Sequence, residues 1–159
     1  MTRRNDMFAS VLAISLALAP ALAWAADTGL ITKPSKYSVS ETIERFEMAI
    51  TAKGWVVFTE LDHTAAAAKA GLQLRPRIVV VFGNPKLGTG PMQKAPTLAI
   101  DNPPKALVWQ DDQGKVWLTY NTAEYTASYI YPRHGLTVSA EGLKSLEQFL
   151  DEVSDQATK

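Results

Sequence analysis

The stretch Ile78-Val79-Val80-Val81-Phe82-Gly83-Asn84-Pro85-Lys86-Leu87-Gly88-Thr89 decides how this chain is read. Its first five residues are continuously apolar and mostly β-branched. A strand open to water on one side alternates polar and apolar residues, so an unbroken run predicts a central strand covered on both faces. Turn-forming residues follow at once. Pro85 fixes one backbone dihedral and the flanking glycines relax others. This predicts a rigid loop, Asn84–Thr89, that presents backbone N–H groups and the Lys86 cation at a strand end. Two readings follow: an anion cradle, or a tight structural turn with a solvated lysine. It is not a nucleotide loop, which needs Gly-x-x-x-x-Gly-Lys followed by Ser or Thr. Here the lysine precedes the second glycine.

Upstream, Ser38-Val39-Ser40-Glu41 has the form of a capping box. Val39, Ile43, Phe46 and Ile50 then fall on one helical face, which Gly54 ends. Trp55–Leu61 is rich in β-branched and aromatic residues and predicts a strand. An alanine-rich helix over Thr64–Ala70 follows, capped by Asp62 or Thr64 and stopped at Gly71. Downstream, Lys105–Gln110 and Lys115–Tyr120 flank the turn Asp111-Asp112-Gln113-Gly114, the pattern of an antiparallel hairpin. Short and long helices are expected over Thr122–Tyr129 and Glu141–Asp155, the second with a Leu143, Leu146, Leu150, Val153 stripe. The order predicts an α+β fold: a single compact domain with a mixed or mostly antiparallel sheet and helices packed mainly on one face.

The N-terminus has a different character. Arg3 and Arg4 precede an apolar run from Phe8 to Leu18, and Ala23-Trp24-Ala25 supplies small residues at the two positions a signal peptidase reads. Residues 1–25 are therefore expected to be a signal peptide and 26–159 the domain, periplasmic or secreted, with no stable membrane span after cleavage. Removing 25 of the 159 residues leaves 134, with fourteen basic and fifteen acidic side chains. That size suits one core, and the balance gives no bias toward nucleic acid. The chain has no cysteine, which excludes thiol catalysis, thiolate metal sites and iron–sulfur clusters.

Few side chains carry candidate chemistry. Asp62 is either a helix cap or, with His63, an acid, base or ligand at the mouth of the sheet. Arg75, held out of helix by Pro76, is suited to gripping a carboxylate from a ligand or from the protein itself. The second histidine, His134, lies in Arg133-His134-Gly135. If it met His63, the two could ligate a metal with Asp62 as third partner, but no i, i+4 histidine pair argues for this. No cofactor is expected. Tyr120 and Tyr125 either line a pocket or fill the core.

These pieces together resemble a known family. Gly54-Trp55-x-Val57-Phe58, Asp62-His63 with its alanines, Leu74-Arg75-Pro76, Phe82-Gly83-Asn84-Pro85-Lys86-x-Gly88-Thr89, Trp109, Trp117, Tyr120-Asn121 and Arg133-His134-Gly135-Leu136 are similar to domain-of-unknown-function 302 proteins, in a secreted bacterial member. The likeness covers about residues 36–136. Asp101-Asn102-Pro103-Pro104 departs from the family pattern, which has leucine before its proline. The resemblance implies a compact α+β domain, a homodimer, and no assigned activity. The reading that follows is a non-catalytic module binding a small anionic ligand or another protein. Its site would be Asp62, His63, Arg75, Asn84, Lys86 and Thr89. The alternatives are a metal-assisted or acid–base enzyme using His63, and a structural homodimer.

Overall fold

A computed structural model describes residues 28–159. The expected signal peptide lies outside the described residues. Five strands, β1 (Leu30–Ser35), β2 (Val56–Asp62), β3 (Arg77–Gly83), β4 (Lys105–Gln110) and β5 (Val116–Asn121), form one sheet in the order β1-β5-β4-β3-β2. Every pairing is antiparallel. The helices are α1 (Val39–Ala52), α2 (His63–Lys69), α3 (Pro85–Lys94), the three-residue α4 (Ala123–Tyr125) and α5 (Ala140–Thr158). The fold is the α+β domain expected, with a wholly antiparallel sheet.

Local chemistry explains the ends of these elements. Ser38 Oγ accepts from Glu41 N at 3.2 Å and opens α1. Gly54 takes φ +76° after it, a left-handed conformation that glycine adopts without a Cβ penalty. Asp62 Oδ1 accepts from Ala65 N at 2.9 Å, so Asp62 caps α2. Thr64, the other candidate cap, instead ties α2 to the start of β3: its hydroxyl donates to Arg75 O and accepts from Arg77 N. At the hairpin, Asp111 Oδ1 accepts from Gln113 N and Lys115 N, and Gly114 takes φ +81°. Two elements extend beyond the sequence reading. Residues 30–35 form an edge strand outside the 36–136 span of the motifs, and α5 runs three residues past Asp155.

One face of the sheet carries the core. Val80 and Phe82 from β3, Ala106 and Val108 from β4, and Val116, Leu118 and Tyr120 from β5 pack against Ile43, Phe46 and Ile50 of α1 and Leu150, Val153 and Ala157 of α5. Phe46 meets Phe82 edge-on at 5.3 Å, and Trp55 stacks on Phe149 at 4.0 Å. Tyr120 is core rather than pocket floor alone, with its hydroxyl 3.1 Å from Ser154 Oγ. Lys33 points to this side from β1 and reaches Asp151 and Asp155 of α5. Burial alone would lower the Lys33 pKa, but its hydrogen bonds to Asp151 and Asp155 outweigh that and raise it.

Among the described residues the opposite face has no such helical layer, and only its end bearing Val81 is closed off. The register aligns Leu61, Val79, Leu107, Thr119 and Thr32 in one row across all five strands. A second row runs Arg77, Trp109, Trp117, Pro34. Among the described helices, the buried core recruits α1 and α5 to the other side, while Leu61 is exposed and Val79, Leu107, Trp109 and Trp117 are only half-buried.

Candidate functional site

The six residues expected to share a pocket fall at two ends of the sheet. Asp62 pairs with Ile78 at the start of β3, and Arg75 precedes that same end. Asn84 follows Gly83 at the other end, five residue steps along β3, which is about 17 Å. Asp62, His63 and Arg75 thus form one group, and Asn84, Lys86 and Thr89 another. No single anion or substrate is enclosed by both. In the first group, Asp62 is a cap, His63 is exposed, and Arg75 Nε binds Asp112 Oδ1 at 2.9 Å in the open. An exposed pair of that kind contributes little.

The second group corrects the loop reading. Residues Pro85–Lys94 are an α-helix, with Asn84 Oδ1 accepting from Lys86 N at 3.0 Å. Asn-Pro is itself a helix-start signal: the asparagine caps, and the proline occupies the first position, where no N–H is needed. Gly88 and Gly90 hid the helix, because glycine weakens helix propensity without forbidding it. Lys86 and Thr89 are exposed on this helix, and neither faces a built cradle.

His134 belongs to the second end as well, so the metal set of His63 and His134 is not assembled. Its Nε2 lies 2.6 Å from Asp101 Oδ2, and its Nδ1 lies 2.9 Å from Thr97 Oγ1. Arg133 Nε approaches the same carboxylate at 3.5 Å. Thr97 sits in the 3₁₀ turn Pro96–Ile100, and Asp101 leads into β4, where Lys105 Nζ donates to the Asp101 carbonyl at 3.1 Å. The imidazole is 4 % exposed. A ring this enclosed, with both nitrogens engaged, clasps two loops together and is closed to a substrate. Among the described residues no group of three or more His, Cys, Asp or Glu could hold a metal. The sequence reading missed the Asp101–His134 pair because 33 residues separate its members; Asp101 stood out only as a departure from the family pattern.

Two features outside these groups have the character of binding surfaces. A cavity of about 360 Å³ opens between Ile31 and Tyr120 of the sheet and Leu143 and Leu150 of α5, with Glu124 and Glu147 among its lining. The other is the uncovered sheet face. Along its hairpin margin, Trp109 and Trp117 stack with centroids 6.1 Å apart; the Arg77 guanidinium lies 5.5 Å from the first ring and the Lys115 ammonium 4.2 Å from the second. Both indoles are pinned: Trp109 Nε1 donates to Thr119 Oγ1 at 2.9 Å, and Trp117 Nε1 to Asp111 Oδ2 at 2.7 Å. That bond, with the backbone N–H groups of Lys115 and Gln113, holds the Asp111 carboxyl below its ordinary pKa.

The family model described as "Domain of unknown function DUF302" matches residues 31–156. The chain belongs to this family. The match reaches beyond the 36–136 span of the motifs and takes in β1 and nearly all of α5. The DUF302 crystal structure of an uncharacterized conserved protein from Bacillus stearothermophilus aligns with TM-score 0.67 and 19% identity, over 82% of this chain and 98% of that one. At that identity it supports the fold alone. Among curated relatives, "Fluoride-specific ion channel FluC 1" of Brucella suis biovar 1 (strain 1330) is 44% identical over 122 residues, 77% of this chain and 46% of the relative. "Fluoride-specific ion channel FluC 2" of Brucella melitensis biotype 1 (strain ATCC 23456 / CCUG 17765 / NCTC 10094 / 16M) is also 44% identical over 122 residues, covering 77% of this chain and 44% of that protein. The chain spans less than half the length of the curated relatives it matches.

Proposed function

We propose that this DUF302 domain is a non-catalytic protein-interaction module that docks through the uncovered face of its sheet. One observation carries the reading. β3 is apolar on both sides, yet on the side away from Val80 and Phe82 the described chain closes off the Val81 end and leaves Val79 half-open in a row with Leu61 and Leu107. Exposed contiguous apolar surface on a sheet marks a place where another molecule sits. The anion-binding form of the reading loses its support, since Lys86 stands apart from Asp62, His63 and Arg75.

The Brucella relatives give the reading a direction. There a sequence like this one shares a chain with what is named a fluoride-specific ion channel, which supports a membrane channel as the kind of protein the module serves. The signal-like N-terminus supports placing it in the periplasm or outside the cell. Among the described residues no helix is long and apolar enough to cross a membrane. The homodimer implied by the family resemblance stays a separate proposal, and light scattering over a concentration series tests it. The docking reading is tested by a photo-crosslinking residue at position 107, which should yield a covalent adduct in the membrane fraction of intact cells. The same residue at Met48, exposed on α1, should not. Equal labelling from both positions, or none from either, would sink the reading.

A further inference from the structure

We infer that the occupant of the uncovered face is an amphipathic helix of a partner protein, with acidic residues flanking its apolar stripe. This rests on the docking reading above and names the chemistry of the partner. The face has an apolar middle and a cationic margin. Leu61, Val79 and Leu107 make the middle, in register across β2, β3 and β4. Arg77 and Lys115 border it beside the two tryptophans, and Lys105 borders it at the other end of β4.

None of these three cations is in an ion pair among the described residues. Arg77 Nη1 donates to the carbonyls of Pro76 and Gln110 at 3.1 and 2.9 Å. Lys105 Nζ donates to the carbonyls of Asp101 and Pro103 at 3.1 Å each. Lys115 rests on Trp117. Of the nearby acids, Asp112 is paired with Arg75, while Asp111 accepts from the neutral Trp117 indole and turn backbone and keeps its charge beside Lys115. Arg77, Lys115 and Lys105 against the one Asp111 carboxylate leave the margin net positive, and a partner that fits it carries negative charge around an apolar centre.

The same charges argue against a second copy of this chain laid face to face. A two-fold axis parallel to the strands sets Arg77 and Lys115 against their own equivalents, and one across the strands sets them against Lys105. Either way like charges meet. A helix also suits the dimensions. Six residues of strand by five strands is a face of about 20 by 19 Å, which a helix of about 14 residues crosses. The covered face already takes its layer from helices.

Two designed peptides of about 18 residues test this, sharing one Leu/Ala stripe and differing only in Glu or Lys flanks. Binding to the purified protein is read by amide chemical shifts and by indole fluorescence. The Glu-flanked peptide should bind at least about tenfold tighter and weaken as salt rises. Val79→Asp should abolish binding. Lys105→Glu, a substitution at an exposed site that leaves the core intact, should erase the preference between peptides. Equal binding of both, preference for the Lys-flanked peptide, or binding of neither would overturn the inference. So would association with phosphatidylglycerol vesicles while both peptides fail. If position 107 crosslinks to a protein but the Glu-flanked peptide does not bind, the docking reading stands and the helix assignment falls. If neither result appears, both fall.

Discussion

If His134 is a clasp, removing either of its partners should loosen the same two loops. Thr97→Val deletes the hydroxyl that meets His134 Nδ1 and keeps the side-chain volume. In the tautomer whose Nε2–H donates to Asp101, Nδ1 is an acceptor and the Thr97 hydroxyl is its donor. The ring is 4 % exposed, so water cannot easily replace that donor, and the loss should cost about 1–2 kcal/mol. Asp101→Ala removes a carboxylate from Nε2 and should cost about 2–3 kcal/mol, as charge-assisted bonds are stronger. The Arg133 contact adds little, since that side chain is 58 % exposed. The effects should not add. Without Asp101 the ring is free to change tautomer, and Thr97 loses its fixed acceptor, so the double variant should fall short of the sum by about 0.5–1 kcal/mol. Urea unfolding followed by far-UV circular dichroism measures this, provided the slope m stays constant. Wild-type midpoints for both single variants would refute the clasp, and strict additivity would refute coupling through the ring.

Three further outcomes follow from the geometry. Gly29→Ala should destabilise the domain by about 2–4 kcal/mol in thermal or urea melts, because φ is +67° there and an added Cβ would lie 2.7 Å from Tyr125 Cγ. Asp62→Ala should cost about 1 kcal/mol, and Asp62→Asn should recover most of it; a binding role for Asp62 would instead leave stability unchanged. The third concerns pH. The folded-state pKa of Asp111 is lowered, so its stabilisation is present above the unfolded value of about 3.9 and is lost as pH falls through the folded value. The Trp117 indole N–H resonance should therefore shift in acid below about pH 4, before the core amides do, and Asp111→Asn should remove that early step.

Elements governed by short-range chemistry were legible in the sequence. The Ser38 cap, the Gly54 stop and the Asp111–Gly114 turn each depend on residues within a few positions, and each is found where its spacing placed it. The α3 helix was not, because Asn84-Pro85 opens a helix and a turn with the same two residues, and Gly88 and Gly90 tip a local reading toward the turn. The candidate site fared worse for a reason of topology. Asp62 and Asn84 flank neighbouring strands, but in an antiparallel pair the end of one strand lies beside the start of the next. Residues that follow two successive strands therefore sit at opposite ends of the sheet. The Thr97, Asp101, His134 cluster spans 37 residues, and no local pattern signals it.

The apolar run of β3 states a requirement that the described chain meets only by half. Ile78, Val80 and Phe82 point to the helical layer, and Val79 and Val81 point away from it. Val81 is closed off at one end, with 8 % exposure, whereas Val79 shares the open row with Leu61 and Leu107. A domain selected only to fold would place a polar residue at position 79, because a one-sided antiparallel sheet alternates at no cost to its core. Threonine does appear in this row at positions 119 and 32, on β5 and β1, so the alternation is available to this sheet and is suspended only on β2, β3 and β4. Val79→Thr tests the distinction directly. It keeps the shape and the β propensity, so it should leave the unfolding free energy from urea melts within about 0.5 kcal/mol of wild type while reducing crosslinking from position 107. A loss of more than about 2 kcal/mol would mean that Val79 is buried by the chain itself, and the uncovered face would cease to be an interaction surface.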